Sequence, residues 1–458
     1  MAMSPGWKKG GLCNRWEHGS AVYAGNVGEP AVFLLDVESS CHRLESVDNR
    51  KPGHHYDVPA LRWRGDQDVA KPNFLRSGPQ AVKTRDFARS MLPEKPTGER
   101  WDAAMAFVQK RIQSWAEYEV EELPHFDIKW ELQLGLLRLF ASHLFFGECL
   151  EISFVENNIY PAPQLEFWYP YFPNWLNPAY HKMKKSKESI WDFMRECTRA
   201  GEIKAAYEAA GLAETEAFEA MLCMLTFNAS GGGNCGLNLL YYLPHFTGKE
   251  QMKDEDELLT SFCYELLRNN GPPAMLKMGF KDSPENEDYY SVVNTSKGES
   301  FAIKNGTTCY FNSAVLGRDE TRWENPHTFR ADRFCPMPNA NQSKRDTTTG
   351  SEPLPVLALG CPLGRGADEE YLKNAHCCVF IDLIVPFLKG VTLTLLDFEY
   401  RLDYQSEAVV SKLVKTKKEE VPQLSGSARK SKCPFAFDIS AENMNQGANA
   451  TEDCAPPV

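Results

Sequence analysis

The sequence has no uncharged apolar run long enough to cross a bilayer, no excess of basic residues, no regular cysteine spacing and no internal repeat. Each absence removes a class of function. The two most apolar stretches, 132–150 and 377–396, are interrupted by Arg138, His143 and Glu148 in the first and by Asp382, Pro386, Lys389 and Gly390 in the second. A membrane span needs about 20 predominantly apolar residues with few or no charges, so both stretches are expected to be buried helices. Lys and Arg number 50 against 62 Asp and Glu, a net charge of −12. A nucleic-acid partner requires a basic footprint, and none is expected here. The 14 cysteines lack the spacing of a disulfide framework and read as free thiols of a reducing compartment. The first ten residues, MAMSPGWKKG, hold no apolar run, so no secretory signal or anchor is expected in them. A cytoplasmic or peripherally membrane-associated protein is the resulting expectation.

What is present is a chain of 458 residues, 43% hydrophobic, with ample material for a large core. Residues 21–41 alternate and then run apolar, which predicts short strands in a hairpin. Residues 50–80 are rich in Pro, Gly, Asp, His and Arg and read as irregular, with His54 and His55 in a solvated loop rather than a metal site. Helical periodicity dominates through Trp101–Glu119, Trp130–Leu150, Trp191–Ala210 and Glu214–Leu240. Residues 290–312 return to strand-like patches with turns at Lys297-Gly298 and Asn305-Gly306, and 336–352 form a polar loop. A helix is expected at about 368–389, followed by a strand over Val391–Leu402. The whole is an α+β pattern, mainly α, with small sheets near both ends. One domain is expected over 1–418, with a polar, partly disordered tail over 419–458.

Glu265 and Arg268, in SFCYELLRNNGPP, are three apart and so share one helix face. Alone, such a pair is a common feature of solvated helices. It is followed, however, by Asn325-Pro326-His327-Thr328-Phe329-Arg330-Ala331-Asp332-Arg333-Phe334. Together the two segments resemble the Glu-x-x-Arg helix and the Pro-x-x-Phe-x-x-x-Arg-Phe segment of cytochromes P450. The resemblance implies a buried ionic triad of Glu265, Arg268 and Arg333, and with it a P450 fold and a haem (heme b, iron protoporphyrin IX) held by a cysteine thiolate. Cys361, Cys377 and Cys378 are the candidate ligands. Only the last two run directly into an apolar helix, VFIDLIVPFLKG, whose N-terminal dipole would stabilise a thiolate. The usual P450 signature is absent, since Val379 stands where a glycine is expected. Asn374-Ala375-His376-Cys377 instead resembles the Asn-Lys-Gln-Cys element of the allene oxide synthase and hydroperoxide lyase branch. That likeness places Asn374 and His376 beside the cofactor and makes Cys377 the first choice of ligand, with Cys378 second.

The segment Phe227-Asn228-Ala229-Ser230-Gly231-Gly232-Gly233-Asn234-Cys235 lacks the acid and threonine with which oxygen-activating P450s deliver protons. Taken alone, three glycines in a row read as a helix break. In series with the other motifs, the segment resembles the Phe-Asn-x-x-Gly-Gly element of the same branch. The catalytic set so implied is Asn228, Phe227, Gly231 and Gly232. A carboxamide both donates and accepts without titrating, and the glycines let the backbone approach closely. The resemblance implies an isomerase of polyunsaturated fatty-acid hydroperoxides. Homolytic O–O cleavage without O2 or a reductase would give an epoxyalcohol or a bicyclic oxylipin, or an allene oxide or aldehyde precursor. A reductase-dependent monooxygenase and a haem-free helical binding protein stay open.

Weaker expectations complete the set. Lys83, Arg85 and Arg89, in AVKTRDFARSML, resemble the helix that supplies cations to haem propionates, although a solvated basic face reads equally well. Ala274, Met275 and Leu276 stand where relatives line the substrate cavity. The aromatic run from Phe167 to Trp175 is read as packing between helices, with a membrane-touching surface as the alternative.

Overall fold

The computed structural model describes residues 21–26, 29–45, 54–56, 76–114, 136–148, 188–225, 239, 242–270, 275–280, 289–295, 297–320, 323–335, 378–399 and 414–415. Within these the protein is mainly helical with small sheets. The polar loop at 336–352, the aromatic run at 167–175 and the tail from 419 lie outside them.

The largest sheet joins both halves of the chain. Strands β1 (Ala21–Asn26) and β2 (Glu29–Leu34) form the predicted hairpin, paired from Ala21↔Leu34 to Asn26↔Glu29. β2 runs parallel to β7 (Thr308–Asn312), which pairs with β4 (Met275–Phe280), which in turn pairs with β3 (His54–Tyr56), giving the order β1-β2-β7-β4-β3. Successive side chains of a strand point to opposite faces. Val32 and Leu34 accordingly enter the main core, while Phe33 and Leu35 form a second small cluster with Val315. Phe33 stacks on its cross-strand partner Tyr310 with ring centroids 4.6 Å apart. His54 and His55 are thus in a strand, not the expected loop. The backbone groups of β4 recruit them as an edge, a demand no local signal encodes.

The hairpin prediction overran its end. The chain leaves the strand at Asp36 and enters α1 (Val37–Glu45). Asp36 Oδ1 accepts the Ser39 N–H at 2.8 Å, and the buried Asp319 Oδ2 accepts the Val37 N–H at 2.9 Å. Two carboxylates satisfying the first amides of a helix fix its start. β5 (Tyr290–Asn294) and β6 (Ser300–Lys304) form the second hairpin, and the two predicted turns place Gly298 at φ 76° and Gly306 at φ 79°.

The helical body packs on the inner faces of these elements. α2 (Pro79–Ser90) opens on Pro79, whose missing N–H costs nothing in a first turn, and buries Ala81, Thr84, Arg85 and Ala88 along one face. α3 (Glu99–Ser114) buries Trp101, Ala104, Met105, Val108 and Ile112 against α4 (Leu136–Phe146). The helix expected over Trp191–Ala210 is broken. Helical residues 188–196 give way to a turn, and α5 (Ala200–Ala209) restarts beyond Arg199. The break has a tertiary cause, because Arg199 is pulled across to cap α4. Its Nη1 donates to the Leu144 carbonyl at 2.5 Å and to that of Phe145 at 3.1 Å, and its N–H to that of Phe146. Cations at a helix C-terminus also complement its dipole.

α6 (Glu214–Cys223) and α7 (Asp256–Asn270) carry the middle of the core. After the turns and bends of residues 323–335, α9 (Ile381–Leu395) follows α8 (Ser313–Leu316) in chain order. The strand expected from Val391 is a correction as well. The helix runs through Pro386 and Gly390 to Leu395, and only Phe398–Glu399 is extended, as β8 against β9 (Val414–Lys415). Gly390 marks a close crossing rather than a stop, since a Cβ there would run into Met105 Cε of α3. Phe140 bridges the same contact, with its ring 4.9 Å from those of both Trp101 and Phe387.

Candidate functional site

α7 presents Glu265 and Arg268 on one face, both buried to within 2% of full enclosure. Glu265 Oε2 accepts Arg268 Nε at 2.7 Å and Arg333 Nε at 2.9 Å, while Oε1 accepts Arg268 Nη2 at 2.7 Å and the Arg330 N–H at 2.9 Å. The two guanidiniums then bind the 317–328 backbone. Arg268 Nη1 donates to the carbonyls of Gly317 and, at 2.9 Å, Pro326. Arg333 donates to Glu324 at 2.6 Å, Thr328 at 2.7 Å and Asn325 at 3.2 Å. Asn325 holds φ 47°, a left-handed conformation that asparagine tolerates better than most residues. Burial lowers the Arg333 proton affinity, Glu265 opposes that, and Arg268 adds to it. The triad is a closed electrostatic unit that ties α7 to the segment leading toward the cysteines.

The second group of candidates is carried by α2 and by the residues that open α9, both of which enter the main core. Cys378 precedes a two-residue turn and the helix itself. Burial pushes its thiol up to about 11, against the Phe380 N–H, which donates to the sulfur, and against the charge of Arg89. Desolvation therefore outweighs the helix terminus for the isolated thiol. A coordinating cation reverses that order, because a metal-bound thiol is deprotonated outright. On α2, Arg85 is buried and donates from Nη1 to the Arg76 carbonyl at 2.6 Å. Arg89 is half-buried with Nη1 3.7 Å from Asp86 Oδ1, and Lys83 is exposed. A soft sulfur donor and two guanidiniums are thus held on neighbouring elements. That donor chemistry fits a haem, whose iron takes a thiolate and whose propionates take cations.

Several expected site residues lie outside the described ones: Phe227, Asn228, Gly231, Gly232, Ala274, Asn374, His376 and Cys377. The α6 helix leads toward the first four, and its last described residues, Met224 and Leu225, form a π turn. Such turns recur at functional sites. Met275 and Leu276 lie in β4, paired with Asn312 and Phe311. Sequence reasoning missed the Phe380 N–H at Cys378 and the Asp382 charge that reaches Arg89. The acid in the first turn of a helix was the available signal for Asp382.

No protein-family model matches this sequence, and no curated protein matches it either. Among solved structures it is similar to a cytochrome P450 OleT variant in complex with arachidonic acid, at 15% identity and TM-score 0.56, over 88% of this chain and 94% of that one. Cytochrome P450EX alpha with myristic acid is similar at 15% identity and TM-score 0.57, again over 88% of this chain and 94% of that one. CYP109B1 from Bacillus subtilis is similar at 14% identity and TM-score 0.52, over 90% of this chain and 97% of that one. With the triad on α7 and the cysteine opening α9, the chain has the cytochrome P450 fold.

Proposed function

We propose that this protein is a haem-thiolate enzyme that isomerises fatty-acid hydroperoxides. The observation that carries the reading is the composition of 227–235, where a carboxamide, Asn228, precedes glycines and neither acid nor threonine follows. Proton delivery to dioxygen calls for a titrating or hydroxylic relay. A substrate that already carries its peroxide needs only to be held. Asn228 is the group assigned to hold it, donating to one peroxide oxygen and accepting from the terminal O–H. A fatty-acid-like substrate is supported by the arachidonic and myristic acids in two solved structures that share the fold.

In this reading Arg85 anchors a propionate, and the iron ligand comes from the adjacent pair Cys377 and Cys378. Cys378 is preferred over the first-choice Cys377, because its sulfur already accepts the Phe380 N–H at the start of α9. A haem bound there supplies the one-electron chemistry that opens the O–O bond. The protein's share is orientation, exclusion of water and a fixed charge beside the sulfur. Isomerisation returns every atom and electron to the product, so neither O2, NADPH nor a reductase is consumed.

The test is incubation of the purified haem protein with the regioisomeric hydroperoxides of linoleic acid, without reductant, followed by product identification. Conversion to an epoxyalcohol or a bicyclic ether is expected; an allene oxide, formed with loss of water, or chain-cleaved aldehydes would make the enzyme a dehydratase or a lyase instead. Oxidation of the parent fatty acid only when NADPH and a reductase are added, with hydroperoxides untouched, would establish a monooxygenase instead. A purified chain with no Soret band, after expression with adequate haem, would make it a binding protein.

A further inference from the structure

The adjacent phenylalanines that end α4 are buried to the same degree but serve different neighbours. Phe145 and Phe146 are both fully enclosed. Phe145 lies against Phe380, with ring centroids 6.0 Å apart and planes at 47°. Phe146 meets Phe193 instead, at 5.2 Å and 86°. Phe380 stands in the turn between Cys378 and α9, and its carbonyl accepts the Leu383 and Ile384 N–H groups, each at 2.9 Å. Its backbone therefore starts the helix while its ring rests on α4. Cys378 packs against the core that Phe145 and Phe380 share. The end of α4 is held in its turn. Arg199 donates to the Leu144 and Phe145 carbonyls. Arg100 Nη2, from α3, donates to the Leu144 carbonyl at 2.8 Å and to that of Met91, just past α2, at 2.6 Å. Two guanidiniums thus pin the place of Phe145 and tie it to the helix of Arg85.

We propose that Phe145 is a positioning residue for the iron ligand: through its ring contact with Phe380 it fixes the turn that carries Cys378. The inference rests on the haem-thiolate reading above, with Cys378 as the ligand. A ligating side chain keeps its working geometry only if the neighbours that support it are themselves locked by packing. The Phe145–Phe380 separation falls within the range over which paired rings gain from mutual orientation as well as from burial. Surroundings collapse in part into the space left by a lost core side chain, and Phe380 borders the space that Phe145 fills. The turn would move with Phe380, and the sulfur with the turn. Loss of the Phe146 ring opens a similar space, but beside Phe193, on a helical segment that carries no expected ligand. The two rings of α4 also meet edge to face at 6.1 Å, which makes Phe146 a demanding control.

The experiment compares the full-length haem protein as wild type, Phe145→Ala, Phe146→Ala, Phe145→Leu and Phe146→Leu. It reads the share of haem that shows the thiolate Soret band in the ferrous carbonyl complex, beside the denaturation midpoint. Both alanine variants are expected to lower the midpoint to a similar extent. Phe145→Ala is expected to lose most of the thiolate band, Phe145→Leu a smaller share, and both Phe146 variants little of it. Should Phe145→Ala fail to fold, the two leucine variants decide the matter by the same measure. A band kept in the Phe145 variants, or lost equally from the Phe146 ones, would overturn the inference and leave the haem reading standing. A wild-type chain lacking the band would overturn both.

Discussion

The α7 triad and the α2–α9 junction are both buried and charged, yet they are built on opposite principles. At the triad each carboxylate oxygen of Glu265 accepts two donors, and its guanidiniums spend further N–H groups on backbone carbonyls. One carboxylate faces two guanidiniums, and the surplus N–H groups are taken up by backbone carbonyls, so donors and acceptors are matched within the protein and the unit serves stability. At the junction burial drives the Cys378 thiol toward its neutral form while a cation, Arg89, stands nearby. That arrangement makes sense once a metal draws the sulfur into its charged form. A closed charge network marks the frame, and a strained balance marks the site.

Substitutions separate the two. The largest effect is expected for Cys378→Ser, which should abolish the thiolate Soret band and hydroperoxide turnover while leaving the denaturation midpoint of the haem-free chain nearly unchanged. Cys377→Ser should keep the band; the reverse result would move the ligand to Cys377. Glu265→Ala should behave in the opposite way. It leaves two buried guanidiniums without their carboxylate and should cost about 3–5 kcal/mol in chemical denaturation. A loss below about 1 kcal/mol would mean that the triad is no frame at all. Asn228→Ala should leave both regions intact, with haem content preserved and turnover reduced about 100-fold, the scale of losing one positioned donor. Unchanged turnover would remove Asn228 from its assigned role. The smallest effect is expected for Asp36→Ala, at about 1 kcal/mol of stability for a lost helix cap. Equilibrium unfolding measures it, and a cost equal to that of Glu265→Ala would erase the contrast between a cap and a buried triad.

Much of the frame was legible along the chain because its signals are local. Three-residue spacing on a helix put Glu265 and Arg268 together, and Gly298 and Gly306 marked turns through conformations other residues adopt poorly. Other elements were misread because their cause is distant in sequence. Nothing between Trp191 and Ala210 announces that Arg199 leaves its helix to cap α4, and nothing near His54 announces the strand β4 that pairs with it. The expected helix stopped at about 389, yet α9 runs on to Leu395, and Gly390 lies where Met105 crosses closely.

By itself, then, the sequence determined the mainly helical class, the pairing within α7 and the order of motifs, since each depends on spacing and side-chain chemistry over a few residues. Tertiary structure alone decided that Arg85, Arg89 and Lys83 have three different environments: buried on the Arg76 carbonyl, partly exposed, and exposed. The physical reason is that the energy of a charge depends on its depth and its neighbours. Both are set by how helices 300 residues apart in the chain, α2 and α9, pack against a common core.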